Sequence, residues 1–244
     1  MSRVATSAVD VRSLVAAEET LDGDPEGMAG QMSRLCRAAL EALGVSGVGV
    51  VVTSDEGPTT SVASTDVVTR QVAELQFTLG EGPTWDAHLT RRPSLAPDLR
   101  DGTARRWPAL VPAVRGLGVG ALFAFPLQVG QARVGCLDLC SNRPGTLSRV
   151  GTALALDFAD LATVWLLDGQ QRASRGVAPD GFDGALHHRA RLHQAQGMVM
   201  VQLDVDLGEA MSRIRAHAYA TEHSLDAVAG DIVTRRLRLA EDVR

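Results

Sequence analysis

Hydrophobic periodicity changes several times along this chain, and each change marks an element. Over residues 10–43 apolar positions recur every three to four residues, with Met28, Met32, Leu35, Ala39 and Leu43 on one stripe. That spacing predicts two helices parted at D22-G23-D24-P25. The stretch V45-S-G-V-G-V-V-V52, closed by D55-E-G-P58, is short and β-branched, so it predicts a buried strand with 59–64 as its hairpin partner. A helix over 67–77 leads into L79-G-E-G-P-T-W85, read as a turn from its glycines and proline. A short strand at 94–96, a helix holding R106-W-P-A-L110, and strands over 120–127 and 132–139 follow. This order predicts an α+β domain built on an antiparallel sheet. Residues 147–168 are amphipathic, with Leu147, Val150, Leu154, Phe158, Leu161 and Val164 or Trp165 on one side. That stripe is expected either to close the sheet face or to pair with the same helix of a second copy.

After a polar stretch at 171–184, read as a linker, the helical period returns. Leu192, Ala195 and Val199 form one stripe, while Arg189, His193, Gln196 and Met200 form a mostly polar one about a quarter turn away. Asp206 suits the N-cap of a second helix, with Glu209 placed to reach back as in a capping box. In that helix Met211, Ile214 and Ala218 make the apolar seam, and Arg215 and Tyr219 stand at i, i+4, a guanidinium beside an aromatic plane. Ser224 suits the N-cap of a third helix carrying Leu225, Val228, Ala229 and Ile232, with Arg235, Arg236 and Arg238 as a basic tail. The expectation is a sensor-sized domain over 1–170, a linker over 171–184, and an all-α three-helix unit over 185–244.

The C-terminal residues R189-x-x-L192-x-Q194-A195-Q196-G197-M198-V199-M200, G208-E209-A210, I214-R215-x-x-A218 and L225-x-x-V228-A229-x-x-I232-V233 resemble the ANTAR family of RNA-binding antitermination modules. The family usually carries Lys in its Q-A-K-G signature, and this chain has Gln196. In the first domain, L79-G-E-G-P83, D98-L99, W107-P108, the strand ending F125-P-L127, and V134-G-C-L-D-L139 resemble the GAF sensory fold of bacterial GAF-ANTAR regulators. Similar regulators often have Cys where this chain has Thr84, so no redox switch is expected there. A cyclic-nucleotide signature of N-K-F-D-E type is absent, which argues against that ligand.

The resemblance implies a cytoplasmic, non-enzymatic regulator. It would act as a homodimer, with a sensor controlling capture of paired stem-loops in nascent RNA. Arg189, His193, Gln194, Gln196, Gly197, Arg213, Arg215 and Tyr219 are the candidates for RNA contact: positions 189, 197 and 215 coincide with family positions, and the polar stripes lie beside the apolar seam. Unpaired loop bases stack on aromatic or guanidinium planes while arginines hold phosphates. Phe77, Trp85, Trp107, Phe123 and Phe125 are candidates for lining a small-molecule cavity in the sensor, since only 4% of residues are aromatic. Two other readings stay open: a helix-turn-helix DNA binder over 206–238, and a protein-interaction module that has lost RNA binding.

Charge and composition constrain these readings. The net charge is −5, but residues 185–238 hold seven Arg against six acidic residues, with five His besides. That segment is less acidic than the rest, yet it is no electrostatic duplex binder. All 24 basic residues are Arg, so a Walker lysine is excluded. No nucleophile elbow or Cys/His pattern appears, and no catalytic residues or cofactor are expected. His188 and His193 are five apart on a helix, a poor spacing for metal. Cys36, Cys136 and Cys140, with no secretory leader, suit a reducing compartment and small buried side chains. No run approaches the roughly 20 uninterrupted apolar residues of a membrane helix, so no membrane partner is expected.

Overall fold

The computed structural model describes residues 10–239 apart from 22, 23, 25, 26, 55, 56, 101, 175–182 and 222. Helices α1 (Val11–Ala17) and α2 (Gly27–Leu43) precede strands β1 (Gly47–Ser54) and β2 (Gly57–Ser64). Helices α3 (Val67–Leu79) and α4 (Pro83–Thr90), strand β3 (Ser94–Ala96), and short helices α5 (Thr103–Arg106) and α6 (Leu110–Gly116) form the crossover. Strands β4 (Ala121–Val129) and β5 (Ala132–Ser141) complete a sheet of order β2-β1-β5-β4-β3, antiparallel throughout. Helix α7 (Arg149–Ser174) closes this domain, and α8 (Asp183–Leu203), α9 (Leu207–Thr221) and α10 (Leu225–Val233) form the C-terminal unit.

The sheet is covered on both faces, and the two-residue period of each strand sorts its side chains between two cores. Val48, Val50 and Val52 of β1, Phe123, Phe125 and Leu127 of β4, and Leu137 and Leu139 of β5 point to the side packed by α1, α2 and α7. Leu122 and Cys140 join Leu99, Trp107, Leu110 and Val114 on the other, while Ala124 and Cys136 meet Ala87 of α4. Each fully buried aliphatic or aromatic side chain of this kind contributes roughly 1.5–3 kcal/mol.

Several elements differ from the sequence expectation. Pro83 opens helix α4 where a turn was read: Gly82 stands at the N-cap and proline suits the first helical position. The helix around Trp107 is in fact two short ones, with Trp107 and Pro108 between them. Helix α7 runs on to Ser174, into the segment read as linker. Its stripe is claimed by its own domain, since Phe158 and Leu161 are buried and Leu147, Leu154 and Trp165 pack against the same core. Val150, Leu156 and Val164 are the large apolar residues that α7 leaves exposed. Among the described residues Arg149–Gly169 alone has the length and apolar character to cross a membrane, and here it is the closing helix of the sensor core.

In the C-terminal unit Leu192, Ala195 and Val199 meet Met211, Ile214 and Ala218, together with Leu225, Val228, Ala229 and Ile232. Ile214 and Ile232, the chain's only isoleucines, are both buried here. The Asp206 carboxylate accepts from Glu209 N at 2.8 Å, as expected of an N-cap, but Glu209's own side chain pairs with Arg213 at 2.7 Å. Ser224 caps α10 by accepting from Ala227 N at 3.2 Å. This unit lies against the sensor: α9 packs on α3, α8 on β2, and Phe77 of α3 packs against the C-terminal core.

Candidate nucleic-acid interface

Helix α8 presents His193 and Gln194 to solvent, with Gly197 half-buried between them and the exposed Val201. A Cβ at Gly197 would meet nothing within 4 Å. Glycine inside a helix costs roughly 0.5–1 kcal/mol relative to alanine, so packing within this chain does not account for it. Arg189 lies on the same helix, but its side chain falls outside the described residues.

Gln196 is a correction. Expected on the polar stripe, it is 1% exposed, and its Nε2 donates to Leu207 O at 2.9 Å. The physical reason is its position on the flank of the Leu192–Ala195–Val199 seam, where the first turn of α9 closes over it. It braces α8 against α9 and does not face solvent.

On α9, Arg213 is half-buried and held at i, i+4 by Glu209. Tyr219 is 58% exposed, an aromatic plane available for stacking. Arg215 does not lie over Tyr219. It turns to the sensor, with its guanidinium carbon 4.8 Å from the Trp85 ring centroid and 5.8 Å from that of Phe77. Arg191, which the sequence did not single out, joins α8 to α10 through Asp226 at 3.0 Å.

The turn that carries Trp85 can be explained residue by residue. Gly80 ends α3 in the left-handed region at φ 68°, its N–H returning to Gln76 O at 3.0 Å. Glu81 reaches across to α6, one carboxylate oxygen accepting from both Ala109 N and Leu110 N at 3.0 Å. Thr84 N donates to Gln76 Oε1 at 3.0 Å, and Trp85 Nε1 to Gln76 O at 2.7 Å. The Trp85 ring then lies across β2 at Gly57, where a Cβ would come within 2.3 Å of it.

Beneath this turn is a buried polar group that the sequence reading missed. Asp138 of β5 is 5% exposed, and its Oδ2 accepts from Thr84 Oγ1 at 2.7 Å. Burial pushes its carboxyl up to about 7, and the hydrogen bonds from Thr84 and Gln76 only partly oppose this. Gln76, Thr84 and His88 are buried with it, as are Thr53 and Ser94. The same burial holds the Cys136 thiol far above its ordinary range, so it is not a thiolate nucleophile. A carboxylate at a buried phase of the apolar run V-G-C-L-D-L was the available signal.

The five aromatic residues expected to line one cavity do not meet. Phe123 and Phe125 sit in the helical core and Trp107 in the core on the opposite face of the sheet, while Phe77 and Trp85 face the C-terminal unit. Strand period is the reason: Phe125 pairs with Leu137 and shares its side, away from Cys136 and Asp138.

Comparison with known proteins agrees with this division. The family model of the GAF domain matches residues 29–155, and that of the ANTAR domain matches 181–233. Among solved structures, the GAF domain of a phosphoenolpyruvate-protein phosphotransferase from Coxiella burnetii is 15% identical, with 67% of this chain and 94% of that one covered at a TM-score of 0.52. The GAF domain of the corresponding Acinetobacter protein is 10% identical over 67% and 94%, at 0.51. These two similarities establish the fold. No curated protein sequence matches the chain. With the first family model spanning more than half of its length and the second matching the C-terminal helices, the chain belongs to the GAF domain family and is built as a GAF-ANTAR regulator.

Proposed function

We propose that this protein is a cytoplasmic transcription antitermination regulator whose C-terminal unit captures paired stem-loops in nascent RNA under control of the GAF sensor. The observation that carries this reading is the ANTAR match over three helices that pack around their own core. The outer face of α8 and Tyr219 remain open to a ligand. Open aromatic planes and amides suit unpaired loop bases, and the nearly balanced charge of this segment suits loop recognition better than duplex binding. Homodimerisation belongs to the proposal, because two units held together would engage two hairpins at once. The exposed Val150, Leu156 and Val164 of α7 are the surface we assign to that contact. The sensor's unidentified small molecule would be read by the polar group around Asp138 rather than by an aromatic cage.

The test is a gel shift with a paired-hairpin RNA and a duplex DNA in parallel, accompanied by light scattering. Preferential RNA binding by a dimer is the expected result. Equal or stronger binding to the duplex would move the reading to a helix-turn-helix factor, and no binding at low salt to a protein-interaction module.

A further inference from the structure

We infer that the GAF domain and RNA compete for the Arg215 guanidinium, and that the structure shows the closed arrangement, in which Phe77 and Trp85 hold it. The inference rests on the proposed RNA-binding role of α9. Arg215 belongs by sequence to the C-terminal unit, one position past the buried Ile214, yet its planar head lies against two rings of the sensor, 4.8 and 5.8 Å from their centroids. A guanidinium stacks through its two faces, so a face given to an indole is closed to an unpaired base. Gly57 keeps the place of the Trp85 ring clear, and Gly80, the left-handed C-cap of α3, borders the Arg215 head at ordinary contact distance. A Cβ at Gly80 would lie 3.5 Å from the Arg215 head, and one at Gly57 would run into the Trp85 ring.

The cradle is also wired to the sensor interior. Trp85 is anchored through its Nε1 to Gln76 O, and the preceding residue, Thr84, is anchored to the Gln76 side chain and to the buried Asp138 carboxyl. Helix α4 begins at Pro83, so Thr84 and Trp85 share its first turn and shift together. A ligand that draws Thr84 or Gln76 away from Asp138 therefore moves the ring on which Arg215 rests. Two ring contacts on a half-buried cation bias the closed state by about tenfold.

The experiment uses the full-length protein and a paired-hairpin RNA. Variants are Trp85→Leu, Trp85→Phe, Arg215→Ala and Arg215→Ala combined with Trp85→Leu, each checked for folding by circular dichroism. Trp85→Leu is expected to bind RNA about tenfold more tightly than wild type, and Trp85→Phe, which keeps an aromatic face, by less. The gain must vanish in the Arg215→Ala background. Should Trp85→Leu fail to fold, Trp85→Phe and the emission of Trp85 carry the test. That emission, the difference between wild type and Trp85→Phe, should shift to the red when RNA is added. RNA binding with no change in any Trp85 variant and no shift overturns the competition and leaves the RNA-binding role standing. A gain that persists without Arg215 also overturns it. No RNA binding by any form overturns the RNA-binding role itself and this inference with it.

Discussion

Replacing Asp138 by Asn isolates the one carboxyl of the sensor that is strongly displaced among the described residues. The side chain is 5% exposed, and burial raises its pKa from an ordinary 3.8 to about 7. Asparagine keeps the shape and can still accept from Thr84, whose hydroxyl donates at 2.7 Å in the native protein. Because the folded state holds its proton more tightly than the unfolded chain, Asp138 favours folding most at low pH. That advantage is lost as pH rises from about 4 to about 7, and above this range the contribution is flat. At 1.36 kcal/mol per unit of displacement, wild type should lose about 3 kcal/mol relative to Asp138→Asn between pH 5 and pH 8. Urea unfolding at pH 5, 6, 7 and 8 measures this, and the groups common to both proteins cancel in the difference. Stability curves that run parallel from pH 5 to pH 8 would refute the reasoning, showing that Asp138 is ionised in the folded protein throughout.

Three further outcomes follow from the described contacts. Gln196→Ala should lower stability by about 1–3 kcal/mol in thermal unfolding, because it removes a buried side chain and its hydrogen bond to Leu207 O, while the folded protein keeps its affinity for hairpin RNA. Glu81→Ala removes the carboxylate that receives two amides of the Ala109–Leu110 segment, and should cost about 1–3 kcal/mol in urea unfolding. Tyr219→Ala should weaken hairpin binding by about 1–3 kcal/mol in a titration with no change in melting temperature, since the ring is exposed.

What could be read from the sequence follows the range of the interactions involved. The strands, the hairpin of β1 with β2, the Asp206 and Ser224 caps and the seam through Ile214 depend on neighbours a few residues away, and all of them appear in the structure, whereas the pairing of β1 with the distant β5 had no local signal. Helix α4 was hidden because its glycines serve two different ends, the left-handed close of α3 at Gly80 and the φ of 120° at Gly82. Pro83, at a first helical position, was the overlooked sign. The aromatic residues were grouped by type when strand period already separates Phe123 and Phe125 from Asp138. The placement of Gln196 needed the neighbouring helix, because a polar side chain on the edge of a seam is buried or exposed according to what packs over it. Arg215 on Trp85 joins residues of different domains, and no local pattern encodes that contact.

Phe77 has a thermal consequence. It grows from a helix of the sensor, yet its ring packs against the core that contains Ile214. Melting either domain withdraws that ring from the other, so the loss of one lowers the stability of its neighbour and draws the two transitions together. Scanning calorimetry of the intact chain should accordingly show one heat-absorption peak, with the calorimetric and van't Hoff enthalpies in agreement, where two independently folding domains would give two. The mechanical side of the same feature is that an unfolding event begun by heat or denaturant at one end of the molecule spreads to the other as a single cooperative failure.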